Sequence, residues 1–181
     1  MPKFGKGFGH NMKNIACGIV GDDQILYHKE GFACDELKAV IHEQLEIMIG
    51  EHGVTEFISG MHRGPEMFAA EIVLELKKRH PFTLWGILES EEQWIHWTEA
   101  EQNHFFDIME QADYEYRASS QTTVRSRQRQ LRVIAEESDI LIVIQTVISG
   151  AMLETLMYAR RHGKRVLWIE PESMRVMPYM E

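Results

Sequence analysis

The sequence predicts a three-layer α/β fold with a mainly parallel sheet. Three observations carry that prediction. Short apolar runs alternate with longer segments whose apolar residues recur every three or four positions. The runs end at glycine or at small polar residues, as buried strands do on reaching an edge loop. The stretch from Phe57 through Ile58, Ser59, Gly60, Met61, His62, Arg63 and Gly64 to Pro65 then passes from an apolar run straight into an amphipathic helix. In a parallel sheet such a junction lies at the carboxyl end of a strand, where ligands bind.

The elements follow in order. Residues 15–20 read as a buried strand ending at Gly21. Residues 35–50 read as a helix with Leu37, Val40, Ile41, Leu45, Met48 and Ile49 on one face, and Gly50 and Gly53 as its stop. Residues 54–59 form the next strand. Residues 65–79 form a helix with Pro65 in its first turn, where a missing N–H does no harm, and Lys77-Lys78-Arg79 at its end. Pro81 breaks the pattern before a strand at 83–88. Residues 89–98 are acidic and aromatic, with Trp94 and Trp97, and have no regular period. A helix at 99–111 uses Phe105, Ile108 and Met109, and 114–117 reads as a short strand. Residues 122–137 are helical and carry Arg125, Arg127, Arg129 and Arg132; 140–144 is the clearest strand. A loop at 146–150 leads into a helix at 151–161, closed by Gly163, and 166–169 is the last strand. The segment after Pro171 shows no pattern. No repeat or linker interrupts the chain, so 1–181 reads as a single domain with 1–13 as a flexible lead.

Composition narrows the function. The chain has a net charge of −9, which argues against broad nucleic-acid binding and against adhesion to anionic membrane. No apolar run approaches the length of a membrane span, and the first residues lack the apolar core of a signal peptide. Cys17 and Cys34 have neither metal nor redox spacing, and Cys17 sits in an apolar run as a core thiol would; a cytoplasmic setting follows. His42-Glu43-Gln44-Leu45-Glu46 lacks the second histidine of a zinc helix, and no nucleophile-elbow motif occurs. No metal site is expected.

The ligand loops should be those at the carboxyl edge: 21–24, 59–64, 88–97 and 145–150. Gly21, Ser59, Gly60, His62, Arg63 and Gly64 are binding candidates. The glycines admit close backbone approach, Arg63 brings positive charge, and the helix that follows presents unpaired N–H groups, a combination suited to phosphate. The competing reading is a tight turn that needs glycine for geometry alone. Glu71 is a candidate to orient Arg63 or to take a ribose hydroxyl; a plain helix-surface carboxylate competes. The arginines of residues 122–132, Arg127 among them, are candidates to contact a ligand phosphate; Arg125, Arg129 and Arg132 share one helix face, for which a solvated ion-pairing surface competes. Trp94 and Trp97 are candidates to stack on a base or to pack in the core.

A family resemblance appears in these residues. Ser59-Gly60, Gly64, Ala69-Ala70-Glu71 and Leu74-Glu75-Leu76-Lys77 resemble the second strand and helix of YpsA-like proteins. Those belong to the SLOG superfamily of Rossmann-like nucleotide-ligand-binding proteins, which includes the LOG-type phosphoribohydrolases. In the same order, Gln93-Trp94, Phe105 and Ala112-Asp113 resemble the middle segment. Arg132 with Ser138-Asp139-Ile140-Leu141-Ile142 resembles the basic helix and its strand, and Gly150, Thr155 and Tyr158-Ala159 resemble the glycine turn and last helix. The resemblance covers roughly residues 57–169 and rests on several weak motifs in order. It implies a three-layer Rossmann-like fold and adds Arg129, Arg132, Ser149, Gly150 and Thr155 to the binding candidates.

The departures limit the carry-over. Where the family's first strand ends in Gly-His-Arg-Pro, this chain has Gly21-Asp22-Asp23-Gln24. The paired glycines and threonine read Gly150-Ala151-Met152. The hydrolases' arginine position falls on Gln130, beside Arg129, and Glu154 stands near their glutamate without matching its offset. The resemblance therefore implies the ligand-binding layout, while the hydrolytic residues do not transfer one for one. Binding of a nucleotide-like or phosphorylated small molecule is the expected function, without catalysis and with no cofactor required. The alternative is a nucleotide N-glycosidic-bond hydrolase using a carboxylate among Asp22, Glu71 and Glu154. Many Rossmann-like proteins of this size pair, so a homo-oligomer is an allowed state.

Overall fold

The computed structural model describes residues 13–22 and 32–179. The expected flexible lead, apart from Lys13, and Asp23 and Gln24 of the first edge loop lie outside them. The strands are β1 (Ala16–Gly21), β2 (Glu56–Ser59), β3 (Thr83–Leu88), β4 (Tyr114–Arg117), β5 (Ile140–Ile144), β6 (Arg165–Glu170) and β7 (Arg175–Pro178). The helices are α1 (Phe32–Gly50), α2 (Pro65–Lys77), α3 (Glu99–Met109), α4 (Ser126–Glu137) and α5 (Gly150–Arg161). The strands form one sheet in the order β4-β3-β2-β1-β5-β6-β7. Every pairing is parallel except β6 with β7. The predicted Rossmann-like three-layer architecture is therefore the one observed.

The layers follow from strand alternation. Every residue of β1 and β5 is buried, because both faces of the central strands are covered. Ile142 and Ile144 point into a core shared with Leu37, Leu45, Val73, Leu76 and Phe105 of α1, α2 and α3. Their neighbours Leu141 and Val143 point the other way, into a core with Leu131, Ile134, Leu156 and Ala159 of α4 and α5. Right-handed crossovers require this segregation: the chain runs outward from β1 to β4 with helices on one face, then returns past β1 to β5 with helices on the other. Cys17 lies in the first core with its thiol pushed up in pKa by burial, as a core residue.

Close packing on β1 leaves no room at Gly18. A Cβ there would lie 2.3 Å from Ser138 Oγ and 2.8 Å from Ile134 Cγ2, where the end of α4 rests on the strand. Gly18→Ala is expected to destabilise the fold by about 1–3 kcal/mol through overpacking, read as a lower urea midpoint at unchanged slope.

Three differences from the sequence reading exceed two residues. α4 begins at Ser126, not 122, because side chains hold the preceding residues in a turn. Ser126 Oγ accepts from Thr123 N–H at 3.0 Å, and the hydroxyls of Ser90 and Thr122 bond at 2.6 Å. α1 begins at Phe32, earlier than residue 35. The patternless segment after Pro171 contains β7. Its turn is made by the Glu170 carboxylate, which accepts from the N–H groups of Glu172 and Ser173. A four-residue antiparallel edge strand is too short to show a period of its own. No helix among the described residues is long and apolar enough to cross a membrane.

Candidate functional site

The strand order reverses between β1 and β5, so the loops leaving their carboxyl ends diverge and open a crevice. A cavity of about 320 Å³ occupies it. Gly21 and Asp22 come from the end of β1, His62 from the β2 loop and Glu89 from the β3 loop. Arg127 and Leu131 come from α4, and Gln145, Ser149, Ala151 and Met152 from the β5–α5 junction.

The floor is a buried polar network. The Glu66 side chain is only 1% exposed and accepts from Gly21 N–H at 3.0 Å, His62 N–H at 3.0 Å and Arg127 Nη2 at 2.6 Å. Arg127, with its side chain 27% exposed toward the cleft, also donates to the Gly21 carbonyl at 3.0 Å and to Gln130 Oε1 at 2.5 Å. Gln130 donates both amide hydrogens, to the carbonyls of Gly60 (2.9 Å) and Ile87 (2.6 Å). Its oxygen is thus an acceptor. His62 Nε2 lies 3.1 Å from that oxygen and 3.3 Å from Glu89 Oε2, so this nitrogen carries the proton. The other Glu89 oxygen takes a short bond from Ser126 Oγ. One glutamine therefore ties the ends of β2 and β3 to the arginine and histidine of the cleft.

These carboxylates are held ionised. Burial alone would raise the Glu66 pKa. The charges of Arg127 and His62, with hydrogen bonds from Arg127 and the Gly21 amide, outweigh it and hold the carboxyl below its ordinary range. Glu89 behaves alike: burial raises it, while bonds from His62 and Ser126 and the nearby charges of His62 and Arg127 prevail.

Of the helix N-termini at this edge, those of α2 and α5 differ. At α2 the chain's own groups take the loop amides that are bonded, Glu66 accepting from His62 N–H and Ser59 Oγ from Met61 N–H. At α5, Ser149 is the N-cap in extended conformation and makes no side-chain cap bond. Ser149, Ala151 and Met152 line the cavity, so the first turn of α5 opens on it with its N–H groups uncapped by any side chain of the described residues.

The sequence candidates divide accordingly. Gly21, His62 and Ser149 line the cleft, and Gly150 starts the helix beside it. The loops 59–64 and 149–150 thus face one cavity. Ser59 is buried, donating to the Glu66 carbonyl, and Gly64 caps α2 at φ 83°. Gly60 lies beneath the floor, where a Cβ would sit 2.3 Å from Glu66 Oε2, so packing against the network explains this glycine. Arg63 pairs with Glu101 at 3.1 Å and stands over Trp97, and Glu71 pairs with His104 at 2.8 Å; neither lines the cleft. Trp94 and Trp97 pack edge-on against Phe106 and Phe105 of α3. Arg129, Arg132 and Thr155 line a different depression, on the outer side of α4 and α5.

Glu66, Glu89 and Gln130 were not singled out as ligand-site residues by the sequence, and Arg127 was a candidate only as one of the arginines of residues 122–132. A signal existed for one of them. Ser126, Gln130 and Ile134 recur every four residues on the buried face of α4, and an amide in an apolar stripe marks a buried polar network.

Comparison with known proteins now adds to this geometry. The UPF0398 protein BH1768 of Halalkalibacterium halodurans is 37% identical over 82 residues, which are 43% of this chain and 41% of that protein. The chain therefore matches less than half of that relative's length. DNA processing protein A of Streptococcus pneumoniae superposes with a TM-score of 0.59 at 16% identity, over 86% of this chain and half of the other. DNA processing protein A of Helicobacter pylori, described by its single-stranded DNA binding mode, superposes with a TM-score of 0.56 at 14% identity, over 85% of this chain and 64% of the other. At these identities the likeness is one of fold.

A correction follows. The glycine loop argued for a phosphorylated small molecule as partner and the net charge argued against broad nucleic-acid binding, yet a protein of this fold binds single-stranded DNA. The exclusion does not hold, because net charge is a sum over the chain whereas contact with phosphate is local. The SLOG-family model YpsA matches residues 23–164, and the chain belongs to that family.

Proposed function

We propose that the chain binds a nucleotide-type ligand, free or as one unit of a single strand, in the cleft between the carboxyl ends of β1 and β5. The observation that carries this reading is the uncapped first turn of α5 opening on a cavity of about 320 Å³ at the switch point, with the Arg127 guanidinium in its wall. A phosphate there meets oriented N–H groups and a positive charge already fixed in place by Glu66. His62 and Gln145 are further polar residues on the wall. Membership of the SLOG family and the DNA-binding fold neighbour support the same ligand class.

Binding is favoured over glycosidic hydrolysis by the carboxylates. Glu71 and Glu154 do not line the cleft, and Glu89 has both oxygens engaged and is held ionised. Asp22 is the remaining carboxylate on the wall.

The test is a thermal-shift screen with nucleoside mono-, di- and triphosphates, dinucleotides and ADP-ribose. A ligand at a hundred times its Kd is expected to add about 2.7 kcal/mol of stability. Ala151→Asp places a carboxylate in the first turn of α5, which suits the helix but competes with the ligand's phosphate. It is expected to keep the fold and to weaken binding about tenfold, on the order of one lost charge-assisted bond. No shift with any nucleotide, or undiminished binding by Ala151→Asp, overturns the reading.

A further inference from the structure

Arg125, Arg129 and Arg132 form a second cationic feature, apart from the cleft. All three are exposed and line a depression of about 480 Å³ on the outer side of α4. The three lie at four- and three-residue intervals, so they share one face and span roughly 10 Å of helix. Arg132 is held in place, over the Tyr158 ring at 3.5 Å and bonded to Glu136 at 2.7 Å. Arg125 and Arg129 differ: neither guanidinium has an ion-pair or hydrogen-bond partner among the described residues. In a chain with 28 acidic and 19 basic residues, the three arginines of this depression outnumber its two carboxylates, Glu136 bonded to Arg132 and Glu154 bonded to Gln128, and so invert the overall sign of charge locally. The wall also carries Tyr116, whose ring is half-buried, and the partly buried Val133.

The spacing selects the ligand. A lone phosphate would engage one guanidinium, whereas a row along the crest of a helix suits a polyanion with charges at intervals. An aromatic ring beside such a row offers a face on which a base can stack. The row belongs to the same helix that sends Arg127 into the cleft, so one extended ligand can reach both. We propose that a single-stranded polynucleotide lies across the outer face of α4, its phosphates on Arg125 and Arg129 and a base against Tyr116, while one of its nucleotides occupies the cleft. This rests on the nucleotide reading of the cleft given above.

The test measures anisotropy of labelled dT15 and rU15 across a salt series, beside the thermal shift produced by dTMP and UMP. The variant is Arg125→Gln/Arg129→Gln, which removes two exposed charges and is expected to leave the melting temperature unchanged. The parent is expected to bind an oligonucleotide more tightly than its mononucleotide. In the variant the slope of log K against log salt should fall by about 0.7 per lost phosphate contact, with affinity down about tenfold at low salt. The mononucleotide shift should stay the same. The relative affinity for dT15 and rU15 tells which strand is preferred. An unchanged salt slope, binding of polyglutamate as tight as that of the oligonucleotide, or an oligonucleotide bound no better than its mononucleotide overturns the inference. In those outcomes the mononucleotide shift persists and the cleft reading stands; its loss in the parent removes both.

Discussion

Arg127→Ala is expected to cost about 3–5 kcal/mol of folding stability, measured by urea denaturation at neutral pH. The reason lies in its partner. Glu66 is fully buried, and Arg127 supplies the charge that faces it. Truncating the arginine leaves a carboxylate without compensation in a place water does not reach, and the loss includes that desolvation. Glu66→Gln should cost less, about 1–3 kcal/mol, because the amide oxygen still accepts from Gly21 N–H while Arg127 can turn toward solvent. The pH dependence separates the two explanations of the loss, missing charge and missing packing. In the parent, Glu66 and Glu89 have folded pKa values below their unfolded values. Their contribution is therefore complete above the unfolded pKa of about 4.3 and disappears as pH falls through the folded values. In Arg127→Ala, burial dominates Glu66 and raises its folded pKa above the unfolded one. The sign reverses for this group, and the deficit relative to the parent should shrink as pH is lowered from 7 toward 5. A deficit that stays constant over that range would show that lost packing, not lost charge, is responsible.

Gly60→Ala is expected to destabilise by about 1–3 kcal/mol, and Gly60→Val by more. The added Cβ would stand 2.3 Å from Glu66 Oε2 and 3.1 Å from both Arg127 Nη1 and Gln130 Nε2. These are the atoms of the network under the cleft, each already bonded, so none can yield without breaking a buried hydrogen bond. The effect should appear in the urea midpoint before any ligand is added. If Gly60→Ala instead matches the parent in stability and loses only ligand affinity, the glycine serves ligand approach and the network reading is wrong. Arg63→Ala offers a contrast, since its partner Glu101 is a third exposed where Glu66 is fully buried, and its loss is expected to cost less than that of Arg127.

The element pattern was legible because the central strands carry it in their composition. Ile140 to Ile144 is apolar throughout, and only a strand covered on both faces requires that. The crevice edge was legible for a related reason: once strands alternate with helices, all parallel strands end on one side. Gly21, His62 and Ser149 were placed there by that rule, without knowledge of strand order. The start of α4 was misread because Thr122 and Thr123 fit a helical register, while bonds to the Ser90 and Ser126 hydroxyls help hold them in a turn. β7 was invisible because four residues at an edge need no regular burial.

The site itself divides along the same line. By itself the sequence determined the parallel α/β architecture, the family and the loops that meet at the carboxyl edge, since each depends on local composition and period. Tertiary structure decided which charges meet. Glu66 and Arg127 are separated by 61 residues, and His62 and Gln130 by 68. Their pairing depends on the β4–α4–β5 return that lays α4 across the end of β1. That contact turned the expected anion loop at Gly60 to Gly64 into one filled by Glu66, and left the first turn of α5 open. Local periodicity reports which face of a helix is buried, but a buried ion pair is set by what lies opposite, and that is known only once the strands are ordered.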